Sequence, residues 1–228
     1  MVSKLIFLFL ITGIAILILY LNNKAMPSQT YSFLALGDSY TIGEGVALYE
    51  SFPYQTIQQL RTAGYDFYSP EILARTGWTS DDLRKMIRST YLQKSYRFVS
   101  LLIGVNDQYQ GKDINRYAAN FEQLLKQAIT LAAGKADHVF VLSIPDWSVT
   151  PFAAGSERMH VAREIDQFNA INESIAGNYN VCYIEVTAMT RADGEAENML
   201  ARDQLHPSGA AYAKWANLLA GEIQKRLL

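Results

Sequence analysis

An α/β domain built on a parallel sheet with helices on both faces is the fold that the sequence predicts. Two observations carry it. Apolar stretches of strand length alternate with stretches of helical period along the chain, as crossover connections between parallel strands require. Arg97–Ile103 and Asp137–Ile144 are nearly continuous apolar runs, as strands covered on both faces should be. The 228 residues suffice for one core, half of them are hydrophobic, and no internal repeat or low-complexity tract marks a second domain.

In chain order, Tyr31–Leu36 reads as the first strand, and Gly43 and Gly45 loosen the loop after it. Ser51–Ala63 is helical, with Phe52, Ile57 and Leu60 apolar and Gly64 a stop signal. A short second strand is expected over Asp66–Ser69, ended by Pro70. Thr79-Ser80-Asp81-Asp82 supplies caps for a helix carrying Leu83, Ile87 and Tyr91. The third strand, Arg97–Ile103, ends at Gly104-Val105-Asn106-Asp107, and Asp113–Ala133 is a long amphipathic helix. The fourth strand is Asp137–Ile144. Asp146–Ser156 has no regular period, Ala162–Ala176 is helical, and Tyr179–Val186 is the last strand. Ala188–Gln204 reads as a polar loop, and a final helix is expected from Pro207 to Leu228.

Leu5 to Leu21 is a 17-residue apolar run flanked by Lys4 and Lys24, at the short end of what spans a bilayer as a helix. It exceeds a usual signal-peptide apolar region, and no small-x-small cleavage site follows it. Residues 1–24 are therefore expected to be a membrane anchor, with a cleaved signal segment as the other reading, and 25–30 a linker to a domain spanning 31–228. Either reading puts that domain outside the cytoplasm, membrane-anchored or secreted or periplasmic.

The formal net charge is −2, and setting aside Lys4 and Lys24 leaves 18 Lys and Arg against 22 Asp and Glu. No basic stripe points to nucleic acid. Cys182 is the only cysteine, so an internal disulfide is impossible.

Three short stretches fall at or just beyond expected carboxyl ends of strands: Gly37-Asp38-Ser39, Gly77, and Gly104-Val105-Asn106-Asp107. A parallel sheet gathers such ends at one rim. Asp203-Gln204-Leu205-His206 lies in the loop before the last helix. Acyl transfer needs a nucleophile, a base, a group orienting the base and donors for an oxyanion. Ser39 is the candidate nucleophile, His206 the base and Asp203 its orienting partner. The Ser39 and Gly77 amides and the Asn106 side chain are the candidate oxyanion donors.

Other chemistries fit poorly. Gly43-x-Gly45 lacks the third glycine of a dinucleotide fingerprint, where Leu48 stands. A Gly-x-Ser-x-Gly elbow would need glycine at Thr41, and no serine is followed three residues later by lysine. The three histidines lie far apart without clustered metal ligands, so no metal or organic cofactor is expected; His138 and His160 read as structural or solvent-facing.

The blocks Gly37-Asp38-Ser39-Tyr40-Thr41, Gly77, Gly104-Val105-Asn106-Asp107 and Asp203-Gln204-Leu205-His206-Pro207, in this order, closely resemble those of the SGNH subdivision of the GDSL esterases and lipases. The resemblance runs from about Tyr31 to the carboxyl terminus. It implies a three-layer, flavodoxin-like α/β/α sandwich with a five-stranded parallel sheet. It also implies a catalytic Ser39, Asp203 and His206 with oxyanion donors at Ser39, Gly77 and Asn106. The expected activity is hydrolysis of small-molecule carboxylic esters through an acyl-enzyme. An acyltransferase sharing that intermediate, or a non-catalytic binding module, are the alternatives. Trp147, Phe152 and Tyr109 are expected to wall the substrate pocket, with Val149 beside them. The sequence does not specify the ester or the oligomeric state.

Overall fold

The computed structural model describes residues 29–194, 196 and 198–228. The expected anchor or signal segment at 1–24 lies outside the described residues, as does the linker except for Gln29 and Thr30. Among the described residues no helix is long and apolar enough to cross a membrane.

Five parallel strands form one sheet in the order β2-β1-β3-β4-β5: β1 Phe33–Gly37, β2 Glu71–Ala74, β3 Phe98–Leu102, β4 Val139–Leu142 and β5 Cys182–Ile184. The helices are α1 Ser39–Ile42, α2 Phe52–Thr62, α3 Ser80–Ser89, α4 Val105–Tyr109, α5 Ile114–Leu131, α6 Arg158–Asn178, α7 Thr187–Asp193 and α8 Gly209–Gln224. The chain steps from β1 to β2 in one direction, then crosses back to β3 and continues to β5. With right-handed crossovers, that reversal puts helices on both faces of the sheet. Accordingly α2 packs on α8, while α3 packs on α5 and α5 on α6. The flavodoxin-like order agrees with the fold expected from the resemblance.

The central strands are apolar because both of their faces are covered. Phe33–Leu36 and Phe98, Val99, Leu101 and Leu102 on the neighbouring strand are all almost wholly buried. Leu36 sits beside Leu101 and Gly37 beside Leu102, so β1 and β3 end at the same level. This register sets the turns after them, 37–39 and 104–106, side by side.

Several boundaries differ from the sequence reading. The second strand is Glu71–Ala74, not Asp66–Ser69, and Pro70, which has no N–H for the ladder, separates the two stretches. Phe67 makes only an isolated bridge with Tyr31, and Arg61 grips its carbonyl. The residues of β2 are half-buried, as suits an edge strand, so its apolar signal is weak. Helix α3 ends at Ser89, leaving Tyr91 fully exposed beyond it. The expected polar loop after the last strand begins with α7, whose Thr187 hydroxyl bonds back to the Ile144 carbonyl at 2.8 Å. The last strand is shorter than expected, and α6 begins earlier, at Arg158. The final helix starts at Gly209, because the Ser208 hydroxyl accepts from the Ala211 amide and caps it. Pro207 instead bridges Leu200 in an antiparallel pair.

Gly104 joins β3 to α4 at φ +131°, and a Cβ there would lie 2.4 Å from the Tyr117 hydroxyl and 2.7 Å from Ile144 Cδ1. Tyr117 and Ile144 are both buried, so neither has room to retreat. Gly104→Ala should therefore destabilise the fold by about 2–4 kcal/mol. Urea unfolding checks this: the midpoint should fall, and an unchanged midpoint would contradict the packing argument.

Candidate active site

Ser39 follows β1 after one residue, Asp38, and opens the four-residue helix α1. Asp38 shapes this turn: its Oδ1 accepts from the Tyr40 amide at 3.1 Å, and its carbonyl accepts from the amides of Thr41 and Ile42. Ser39 is almost buried, with its hydroxyl oxygen 2.9 Å from His206 Nε2. On the other side of the imidazole, Nδ1 lies 2.6 Å from Asp203 Oδ2. The second Asp203 oxygen accepts from the Leu205 and His206 amides, each at 3.0 Å. That carboxylate orders its own loop and the ring together.

The loop is pinned at several points. The Ala201 amide donates to the His206 carbonyl at 2.7 Å, the Ser208 amide to the Met199 carbonyl at 2.9 Å, and the Phe152 amide to the Gln204 carbonyl at 3.2 Å. Gln204 sits at φ +59°, a left-handed turn that lets Asp203 curl back toward His206. The Tyr40 ring, 5.0 Å from the imidazole, packs on it from within.

Gly77 takes φ +81°, a conformation that a side chain would strain, although open space faces its missing Cβ. Thr76 beside it donates its hydroxyl to the Glu44 carboxylate, which ties the Gly77 loop to the loop after Ser39. Asn106 lies on α4 and donates one Nδ2 proton to the Trp78 carbonyl at 3.0 Å, which leaves its second amide proton available. The neighbouring Asp107 is structural: its two oxygens accept from the Ser80 amide at 2.7 Å and the Ser80 hydroxyl at 2.6 Å. Asp107 thus links the Asn106 helix to the start of α3.

Ser39, Gly77, Asn106 and His206 share one cavity of about 170 Å³ with Tyr109, Trp147, Phe152 and Leu205. Trp147 is nearly buried and meets Tyr109 and Phe152 edge-on, with ring centres at 5.4 Å and 6.0 Å. Tyr109 and Phe152 are partly exposed and stand at the mouth. Val149, expected beside them, does not line the cavity; Val105, Thr76, Tyr40 and Leu205 do. Each of these four stands within or next to one of the four motif blocks, which was the available signal. The supposedly irregular 146–156 stretch holds two 3-10 turns, Trp147–Val149 and Pro151–Ala153.

The remaining histidines stand apart. His138 is buried with its ring 5.0 Å from Phe98, and burial, then the Arg97 charge, lowers its pKa. His160 is exposed beside Glu164. Among the described residues no group of three or more His, Cys, Asp or Glu is placed to hold a metal ion.

The acids differ sharply in environment. Burial alone would raise the Asp203 pKa, but hydrogen bonds from the His206 ring and from the His206 and Leu205 amides outweigh it and hold the carboxyl below its ordinary value. Asp203 thus stays ionised, as a partner for a developing imidazolium must. Asp38 is fully buried, and burial pushes its pKa up to about 8; the Tyr40 amide opposes the shift and the Asp107 charge reinforces it.

A hydrogen-bonded serine, histidine and aspartate at the carboxyl rim of a parallel α/β sheet define a serine hydrolase. A family model described as the GDSL-like lipase/acylhydrolase family matches residues 35–214, and the chain belongs to this family. Among solved structures, the fold is similar to TesA, with 19% identity over 85% of this chain and 98% of that one and a TM-score of 0.66. It is similar to the psychrotrophic esterase EstA from Pseudoalteromonas sp., with 18% identity over 86% and 98% of the two chains and a TM-score of 0.64. It is also similar to Axe2, an acetylxylan esterase from Geobacillus stearothermophilus, with 20% identity over 87% and 96% and a TM-score of 0.66. At these identities the likeness speaks to the fold. No match was found among curated protein sequences. Family membership makes the chain a carboxylic ester hydrolase working through a serine acyl-enzyme.

The Asp38 environment has a consequence for pH. Its folded pKa of about 8 exceeds the ordinary 3.8, so between those values the folded chain keeps a proton that the unfolded chain has released. Its contribution to stability is full below the lower value, declines as pH rises, and is gone above the upper one. Asp38→Asn keeps an acceptor for the Tyr40 amide and removes this slope. Relative to the parent, the variant should gain stability between about pH 5 and about pH 8 in urea unfolding. An offset that does not change with pH would contradict the buried neutral acid.

Proposed function

We propose that this protein hydrolyses carboxylic esters whose acyl group is an extended apolar chain, using Ser39 as nucleophile, His206 as general base and Asp203 to orient and stabilise the imidazolium. The observation that carries the reading is the 2.9 Å approach of Ser39 Oγ to His206 Nε2 at the foot of a cavity walled by Tyr109, Trp147, Phe152 and Leu205. Ser39 Oγ attacks the ester carbonyl as its proton passes to Nε2, while Nδ1–H donates to Asp203. The charge developing on the carbonyl oxygen meets the Ser39 and Gly77 amides and the free proton of the Asn106 amide. The imidazolium then protonates the departing alcohol. Water, deprotonated by His206, attacks the acyl-serine, releases the acid and restores Ser39.

An apolar wall rewards chain length. Each methylene that leaves water for the cavity contributes about 0.8 kcal/mol, close to fourfold in affinity. The acetyl group named for Axe2 would leave most of that wall unused. The domain is proposed to work outside the cytoplasm, with residues 1–24 as anchor or export segment and 25–30 as linker. The support is the apolar run from Leu5 to Leu21 between Lys4 and Lys24. Retention in membranes after alkaline extraction is the expected outcome for an anchor, and a mature chain lacking those residues the outcome for a cleaved segment.

On p-nitrophenyl esters, kcat/KM should rise roughly threefold or more per added methylene from acetate until the chain outgrows the cavity. Ser39→Ala should lower kcat by about 10,000-fold or more, and Asp203→Asn by about 1,000- to 10,000-fold. A preference for acetate or acetylated xylan over longer acyl groups would overturn the substrate reading. Full activity in Ser39→Ala would overturn the mechanism.

A further inference from the structure

Behind the cavity wall runs a chain of hydrogen bonds that the reaction itself does not use. Gln108 is buried on α4, two residues after Asn106. Its side-chain oxygen accepts from the Trp147 indole N–H at 2.8 Å. Its side-chain nitrogen donates to Glu164 Oε2, on α6, also at 2.8 Å. The other Glu164 oxygen lies 3.2 Å from His160 Nε2 at the surface.

The direction of this chain follows from the chemistry of its ends. An indole nitrogen only donates and a carboxylate only accepts, so an amide between them has one workable orientation. Both polar ends of Gln108 are then satisfied in a buried setting, where losing either partner is costly. Trp147 is the ring held at the far end, in edge contact with both Tyr109 and Phe152. Without the bond to Gln108, the indole would have no polar partner directing its edge into the protein.

We propose that Gln108 is a positioning residue: clamped by Glu164, it holds the Trp147 indole as a fixed wall of the acyl cavity and thereby sets the acyl-length preference. The proposal rests on the ester-hydrolase reading above and adds a residue that acts through Trp147 alone.

Exchanging the charge tests it. Gln108→Glu keeps an oxygen for the Trp147 indole but replaces the donor to Glu164 with a second carboxylate, so the clamp should break and the side chain be pushed out of place. Glu164→Gln alone retains an amide oxygen to accept from Gln108. Combined, the two substitutions restore a donor and an acceptor at each junction. In Gln108→Glu, the ratio of kcat/KM on the hexanoate ester to that on the acetate ester should fall about 5- to 10-fold, mainly through KM. In the combined variant it should return to within about twofold of the parent. Gln108→Met, which deletes both polar ends without adding charge, gives the same readout if the charged variant does not fold. An equal loss on both esters, or no recovery in the combined variant, would overturn the proposal.

If the parent hydrolyses none of these esters, the substrate reading fails and the wall is read by fluorescence. The emission assigned to Trp147, by difference from the Trp147→Phe counterpart of each protein, should shift in Gln108→Glu and return in the combined variant. An unshifted emission would overturn the positioning role.

Discussion

The site depends on a contact between two turns from opposite ends of the domain. Ser39 and His206 are 167 residues apart in sequence, yet their reactive atoms approach to 2.9 Å. Neither turn makes that approach alone. Ser39 is presented by the sharp exit from β1, whose place inside the sheet is set by pairing with both β2 and β3. His206 is presented by a loop folded on itself through Asp203, bridged at Leu200 and Pro207, and anchored by the capped start of α8. The packing of α8 on α2 then closes the second turn over the first. Catalytic geometry here is a product of sheet register and helix packing, not of local sequence.

Electrostatics divides the acids around that contact by role. Asp203 is held ionised by three donors and faces the imidazole, where its charge has a use. Asp107 is spent on Ser80 and keeps the Gly77–Ser80 and Asn106 segments in mutual register. Asp38, beside the nucleophile in sequence, is buried and biased toward its neutral form, so it shapes the turn without adding a negative charge behind the attacking oxygen. A fully charged Asp38 would disfavour an oxyanion forming at the neighbouring Ser39.

Much of this was legible in the sequence, and the parts that were not share a cause. Strands such as Phe98–Leu102 announce themselves because burial on both faces demands an unbroken apolar run. The edge strand Glu71–Ala74 is only half-buried, so Pro70 and the neighbouring Phe67 drew the expectation to the wrong side of the proline. The four motif blocks were readable because acyl transfer calls for particular residue types, and the fold brings Ser39, Gly77, Asn106 and His206 to one cavity. Gln108 was not, because its role is a matter of partners from α6 and the 147–149 turn, which only the folded chain brings within reach. The start of α8 was displaced by two residues because Ser208 is a better cap than its proline neighbour, and Pro207 had a partner in Leu200.

Turnover by this site requires first that Ser39 be an activated nucleophile in the folded protein. Treating the intact chain with a fluorophosphonate and mapping the adduct by mass spectrometry measures that without any assumption about the ester. A single stoichiometric label on Ser39, lost in His206→Ala, is the predicted result. Folded protein that takes no label, or takes it at another residue, would contradict the serine mechanism.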